Sequence, residues 1–178
     1  MSAGPLVPTL THEPEETMVD IIRAREDDWS LVREIRLRSL STDPEAFGQT
    51  WEHESTYDDS AWRERIEAAA WFLAVENEQP VAVVASRHEA DSPENERELQ
   101  AMWVTPEARK GGIAQKLAQS VCSWAKEDGA DTVTLYVGPE NTGARKTYEA
   151  LGFADTGDRW EVVEDDPRSS WIKMSRSV

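Results

Sequence analysis

Residues Ala108–Leu117, ARKGGIAQKL, join two adjacent glycines to three cations, Arg109, Lys110 and Lys116. Glycine lets a backbone approach a ligand closely, and the first turn of a helix presents unpaired N–H groups at the positive end of its dipole. The stretch lies between an apolar segment ending at Val104 and a helical pattern beginning near Gly112, a placement that suits a phosphate or pyrophosphate. A basic turn that only caps a helix fits the same residues. Neither G-x-x-x-x-G-K-[ST] nor a suitably placed G-x-G-x-x-G is present, so two common nucleotide loops are excluded. His12, His53 and His88 stand apart, and no metal site is expected. The single cysteine, Cys122, allows no internal disulfide and reads as a small buried apolar residue in a reducing cytoplasm.

The elements that must carry this turn follow from periodicity. VDIIRAR (Val19–Arg25) alternates as a strand, and Val32, Ile35, Leu37 and Leu40 mark a helix from Trp29 that stops before Pro44. DDSAWRERIEAAA opens with a capping aspartate and predicts a second helix. WFLAVENEQPVAVVASRHEA holds two apolar runs about a polar turn at Glu76–Gln79, a hairpin, and Glu98–Thr105 is a further strand. Ile113, Leu117, Val121 and Trp124 recur at helical spacing up to Gly129. DTVTLYV is a strand, NTGARKTYEALG a short helix capped by Asn141, and strands are expected near Phe153–Thr156 and Ser170–Ser175. The order β-α-α-β-β-β-α-β-α-β-β predicts one mixed α/β domain over residues 19–178, with residues 1–18 a mobile Pro/Gly/Glu tail lacking the features of a secretory signal.

Two motifs within this frame carry a resemblance. Arg109-x-x-Gly112-x-Ala114 is similar to the [Q/R]-x-x-G-x-[G/A] signature of the GNAT superfamily of acetyl-CoA-dependent N-acetyltransferases. Asn141, Ala144, Tyr148, Gly152 and Phe153 resemble that family's N-x-x-A-x-x-x-Y-x-x-x-G-F segment, and the likeness in element order runs from Val19 to the end of the chain. The resemblance implies the GNAT fold and acetyl-CoA as co-substrate, with no metal. It implies that the backbone of Met102, Trp103 and Val104 pairs with the pantetheine amides, on a strand splayed from its neighbour. Backbone N–H groups from Lys110 through Gly111, Gly112 and Ile113 to Ala114 would hold the pyrophosphate beside Arg109, and Asn141 would bind the pantetheine arm or cap its helix.

The implied reaction is direct attack of a primary amine on a thioester in a ternary complex. An alkylamine with a pKa near ~10.4 is free base in only about one molecule in a few thousand at neutral pH, a deficit of roughly 4–5 kcal/mol. By resemblance, Tyr148 lies beside the sulfur and can protonate the departing thiolate. Glu98 matches a glutamate base of some relatives; that residue or water takes the amine proton. Phe47, Trp51, Glu52 and Glu54, in the segment expected to roof the acceptor, are candidates for contacting a cationic amine. The acceptor is expected to be a small molecule; a non-catalytic acyl-CoA sensor and a protein lysine or N-terminal acetyltransferase are the alternatives. Homodimers are common among the relatives so identified.

Charge bounds the partners. The net charge is -16, with residues 1–100 carrying -14, residues 101–153 zero and residues 154–178 -2. So acidic a balance argues against nucleic acid, and no apolar run is long enough to predict a membrane span. Only 5 of the 19 cations are lysine. An acidic, lysine-poor surface suits concentrated salt, where screening removes most self-repulsion, and the chain is expected to work in a halophilic cytoplasm. Unfolding midpoints measured from molar to millimolar salt should fall steadily; a midpoint that holds at low salt refutes the halophilic reading.

Overall fold

The computed structural model describes residues 19–161 and 170–178, so the expected tail at 1–18 lies outside the described residues. Seven strands form one sheet in the order β1-β2-β3-β4-β5-β7-β6. They are β1 Asp20–Arg23, β2 Ala70–Glu76, β3 Gln79–Arg87, β4 Glu96–Val104, β5 Thr132–Val137, β6 Ala154–Glu161 and β7 Ser170–Ser177. Among the described residues five α-helices accompany it: α1 Trp29–Thr42, α2 Trp51–Glu54, α3 Asp59–Glu67, α4 Ile113–Glu127 and α5 Thr142–Ala150. The order matches the mixed α/β expectation, with the one-turn α2 added between the two predicted helices.

Strand alternation divides the buried residues into two layers. Phe72, Val84, Leu99, Val133 and Leu135 face α4, whose Leu117, Ala118, Val121 and Cys122 are buried on the same side. Trp71, Leu73, Val83 and Trp103 face Val32 and Ile35 of α1 and Trp62 and Ile66 of α3. The expected hairpin closes in two residues, Asn77 (φ 49°) and Glu78 (φ 64°), the left-handed pair that matches strand twist.

One parallel pair interrupts an otherwise antiparallel sheet. Strands β4 and β5 are joined through α4, and their ladder runs only from Glu96↔Thr132 to Leu99↔Leu135. Beyond it β4 continues to Val104 and β5 to Val137. A register shift against β3 falls between Val83 and Ala85, opposite Ala101, whose φ is 55°. This is a β-bulge, and a bulge bends its strand and increases the local twist. The two strands therefore part, as the resemblance implied.

The segment after α1 is held by a buried charge. Glu54 of α2 is wholly buried; Arg36 donates to it from Nε (3.1 Å) and Nη2 (2.8 Å), and Arg65 Nη2 lies 3.4 Å away. The ring of Phe47 covers Arg36, with its centroid 4.7 Å from Cζ. Glu54, expected to contact an amine, is instead a core residue: it stands on the inner face of a single helical turn, and two guanidinium groups neutralise it. Removing one partner of such a pair strands the others in low dielectric. Glu54→Gln should cost about 3 kcal/mol in urea unfolding. Replacing Arg36 and Glu54 together by Met and Leu should cost less than the single change.

Candidate active site

A cleft of about 990 Å³ opens where β4 and β5 part. One wall is Met102, Trp103 and Val104; the other is Gly138–Asn141 with Thr147 and Tyr148 of α5. Its floor is formed by Ala108–Lys110 and Gly112 of the loop with Ile113–Gln115 at the start of α4. The β4 groups beyond Leu99 have no ladder partner on the β5 side, so this edge offers a row of backbone donors and acceptors to whatever enters.

The loop is shaped by two left-handed residues, Lys110 (φ 67°) and Gly112 (φ 75°). Gly112 is the N-cap of α4 and provides no side-chain cap. A Cβ there would stand 3.3 Å from Gln115 Oε1 on a backbone that side chains rarely adopt. The first helical bond runs from Lys116 N–H to the Gly112 carbonyl at 3.1 Å, leaving the N–H groups of Ile113, Ala114 and Gln115 before it without that partner. All three residues line the cleft, so the positive end of α4 points into it. A Cβ at Gly111 would stand 3.5 Å from the Ala108 carbonyl oxygen, an ordinary contact, and Gly111 is not part of the lining.

Arg109 lines the cleft, but its guanidinium is occupied. Nε donates to the Val104 carbonyl at 3.0 Å and Nη2 to Asp43 Oδ2. The same Asp43 oxygen accepts the indole N–H of Trp103 at 2.6 Å. One carboxylate thus ties the residue after α1 to β4 and to the loop. Nothing in the residue pattern singled out Asp43, because its partners are 60 and 66 positions away.

Tyr148 sits on α5 with 8% of its surface exposed, and its ring meets Phe153 edge-on at 5.8 Å. Burial pushes its phenol well above the ordinary range, so the hydroxyl keeps its proton. Among the described residues that hydroxyl has no hydrogen-bond partner, and Tyr148 belongs to the cleft lining. Asn141 Oδ1 accepts from Ala144 N–H at 3.1 Å, capping α5, while the residue also lines the cleft.

Glu98 lies outside the lining, on the adjoining face of β4. Burial raises its carboxyl above the usual range, opposed by the amide of Gln100, which donates to Oε1 at 2.8 Å and also to Glu89. Phe47, Trp51 and Glu52 do not line the cleft either; Phe47 is spent on Arg36, and Trp51 and Glu52 are exposed. Trp171 of β7 does line it, near Gly138, and sequence reading had no reason to select it.

The comparisons agree with this geometry. The chain is 30% identical over 120 residues to an uncharacterised N-acetyltransferase of Methanocaldococcus jannaschii, covering 66% of this chain and 49% of that protein. It is 28% identical over 155 residues to a mycothiol acetyltransferase of Rhodococcus erythropolis, covering 84% and 49%. The chain thus spans about half the length of these curated relatives. Among solved structures, a GNAT acetyltransferase of Streptococcus pneumoniae superposes with a TM-score of 0.76 at 15% identity, over 90% of this chain and 99% of that one. A putative acetyltransferase of Salmonella typhimurium, solved with its cofactor acetyl-CoA, gives 0.74 at 16% identity, over 90% and 94%. The model of the acetyltransferase (GNAT) family matches residues 29–153, the span that holds both motifs, the parted strands and all of the cleft lining but Trp171, and the chain belongs to that family.

Proposed function

We propose that the cleft binds acetyl-CoA and that the protein moves its acetyl group to the nitrogen of a primary amine, with a small molecule as acceptor. The observation that carries this reading is the meeting of three features in one cavity: an unpaired β4 edge, the bare N-terminus of α4 and the protonated phenol of the largely buried Tyr148. An extended amide chain can pair with the first, a pyrophosphate can accept from the second, and a leaving thiolate can meet the third. The complex with acetyl-CoA in the Salmonella relative supports the choice of donor.

In this reading the amine nitrogen attacks the thioester carbonyl carbon, the C–S bond breaks, and the sulfur leaves as thiolate. Tyr148 supplies the proton that makes it a thiol and is itself reprotonated from solvent. Its raised pKa is compatible with the task, since the dry surroundings that raise the phenol raise the thiolate's basicity as well. A backbone N–H of the parted β4 stabilises the oxyanion. The amine's own proton leaves to Glu98 or through water. A sensor that only bound the acyl-CoA would have no use for a proton-bearing hydroxyl at that wall.

CoA release with a panel of amines, followed by thiol titration, tests the proposal. Tyr148→Phe should lower kcat by about 10²-fold or more while acetyl-CoA still binds in calorimetry. Acetyl-CoA binding in wild type without release by any amine makes the protein a sensor instead.

A further inference from the structure

Three aromatic side chains on the sheet face turned away from α4 have no part in that chemistry. Register places them. Glu98 pairs with Thr134, Tyr136 with Lys173, and Trp160 with Trp171. Alternation then puts Glu98, Tyr136, Trp160 and Trp171 on one face, opposite the buried Leu99, Leu135, Ile172 and Met174. Tyr136 and Trp160 meet edge-on with centroids 5.8 Å apart, and Trp160 and Trp171 at 6.2 Å. Trp160 is 49% exposed on the edge strand, an unusual position for so large an apolar group.

The cluster borders the proposed reaction centre. Tyr136 is the first β5 residue beyond the last ladder pair, Leu99↔Leu135, and therefore stands at the mouth of the parting. Trp171 lines the cleft itself. Three glutamates share this neighbourhood, and two are committed: Glu89 to Arg87 at 2.7 Å and Glu96 to Lys173 at 3.4 Å. Among the described residues Glu98 has no cation within 4.0 Å, only the amide of Gln100. The face therefore offers a carboxylate without a close ion pair on one side of the parting, with Arg87 and Lys173 acting on it from farther off, and three rings on the other.

We propose that this face is the acceptor subsite and that it takes an arylalkylamine. The ammonium end sits between Glu98 and the parting, and the aromatic body lies against Trp160, Tyr136 and Trp171. The inference rests on the acetyl-transfer reading and names its acceptor class. A polyamine fits less well, because each further ammonium needs its own carboxylate and the far end presents rings. Aromatic contact supplies the affinity, and Glu98 fixes which end meets the thioester.

The test compares CoA release from wild-type protein with phenethylamine, n-butylamine and putrescine. The ratio of kcat/KM for phenethylamine to that for either aliphatic amine should be roughly tenfold or more. Trp160→Ala should bring the ratio toward one, and Trp160→Phe should retain most of it. Because each ratio is taken on one protein sample, loss of folded protein cancels. Equal rates for phenethylamine and butylamine, a preference for putrescine, or a ratio that survives Trp160→Ala each overturn the inference. So does a dimer, seen by sedimentation, that Trp160→Ala dissociates. Acetyl-CoA that binds but is never turned over with any amine overturns the acetyl-transfer reading and this inference with it.

Discussion

Everything in the site depends on the ladder between β4 and β5 stopping at Leu99↔Leu135. A backbone group left unpaired in a dry interior costs about 1–3 kcal/mol, so a ladder does not end mid-sheet without a reason. Here the reason is local and visible: the bulge at Ala101, with φ of 55°, turns β4 before it reaches Val104. The parting leaves polar backbone facing a cleft open to water, and a ligand with amides in an extended arm can replace that water group for group. The connection through α4 completes the arrangement. A crossover helix between parallel strands begins beyond the carboxyl end of the first, so the N-terminus of α4 arrives at the mouth of the same gap.

Polar contacts hold the other wall in place. Asp43 joins the residue after α1 to Trp103 on the parted strand and to Arg109 in the loop. Arg36 and Arg65 join α1 and α3 to Glu54 on the single turn between them. Both devices use arginine, whose rigid fork can satisfy a carboxylate from a fixed direction. The segment from Asp43 to Glu54 is thereby anchored at both ends. Glu45 and Ala46, between those anchors, form part of the cleft lining.

Sequence reading recovered what rests on local chemistry. Helices α1, α3, α4 and α5 lie where apolar spacing and capping residues placed them, and the two-residue hairpin falls at the predicted turn. It shortened β6, expected near Phe153–Thr156 and observed as Ala154–Glu161, because every residue of that edge strand is exposed and no alternation of apolar and polar types marks it. The site divides in the same way. Arg109, Lys110, Gly112–Ala114, Asn141 and Tyr148 line the cleft, and motif spacing along one chain is enough to point to them. Asp43, Trp171 and the Tyr136–Trp160–Trp171 cluster arise from pairing between strands distant in sequence, which no linear pattern records. Glu54 was misread for a related reason: from the sequence a carboxylate in an acidic stretch looks solvated, and only the tertiary approach of Arg36 and Arg65 makes its burial tolerable.

The basic character of ARKGGIAQKL also changes meaning in three dimensions. The cleft lining includes two cations, Arg109 and Lys110, but three carboxylates, Asp43, Glu45 and Glu140. One of the cations is already neutralised by Asp43. Net side-chain charge therefore cannot be what attracts a pyrophosphate here, and the neutral block at residues 101–153 is not a basic face in disguise. The attraction has to come from oriented backbone: the free N–H groups of Ile113, Ala114 and Gln115 and the dipole behind them. That division of labour suits so acidic a chain. Exposed point charges are screened within a few ångströms at molar salt, whereas N–H groups act on an anion by direct contact and lose little of their hold. In the proposed reading Gly112, whose left-handed backbone turns those groups toward the cleft, matters more to the site than the loop's lysines and arginine.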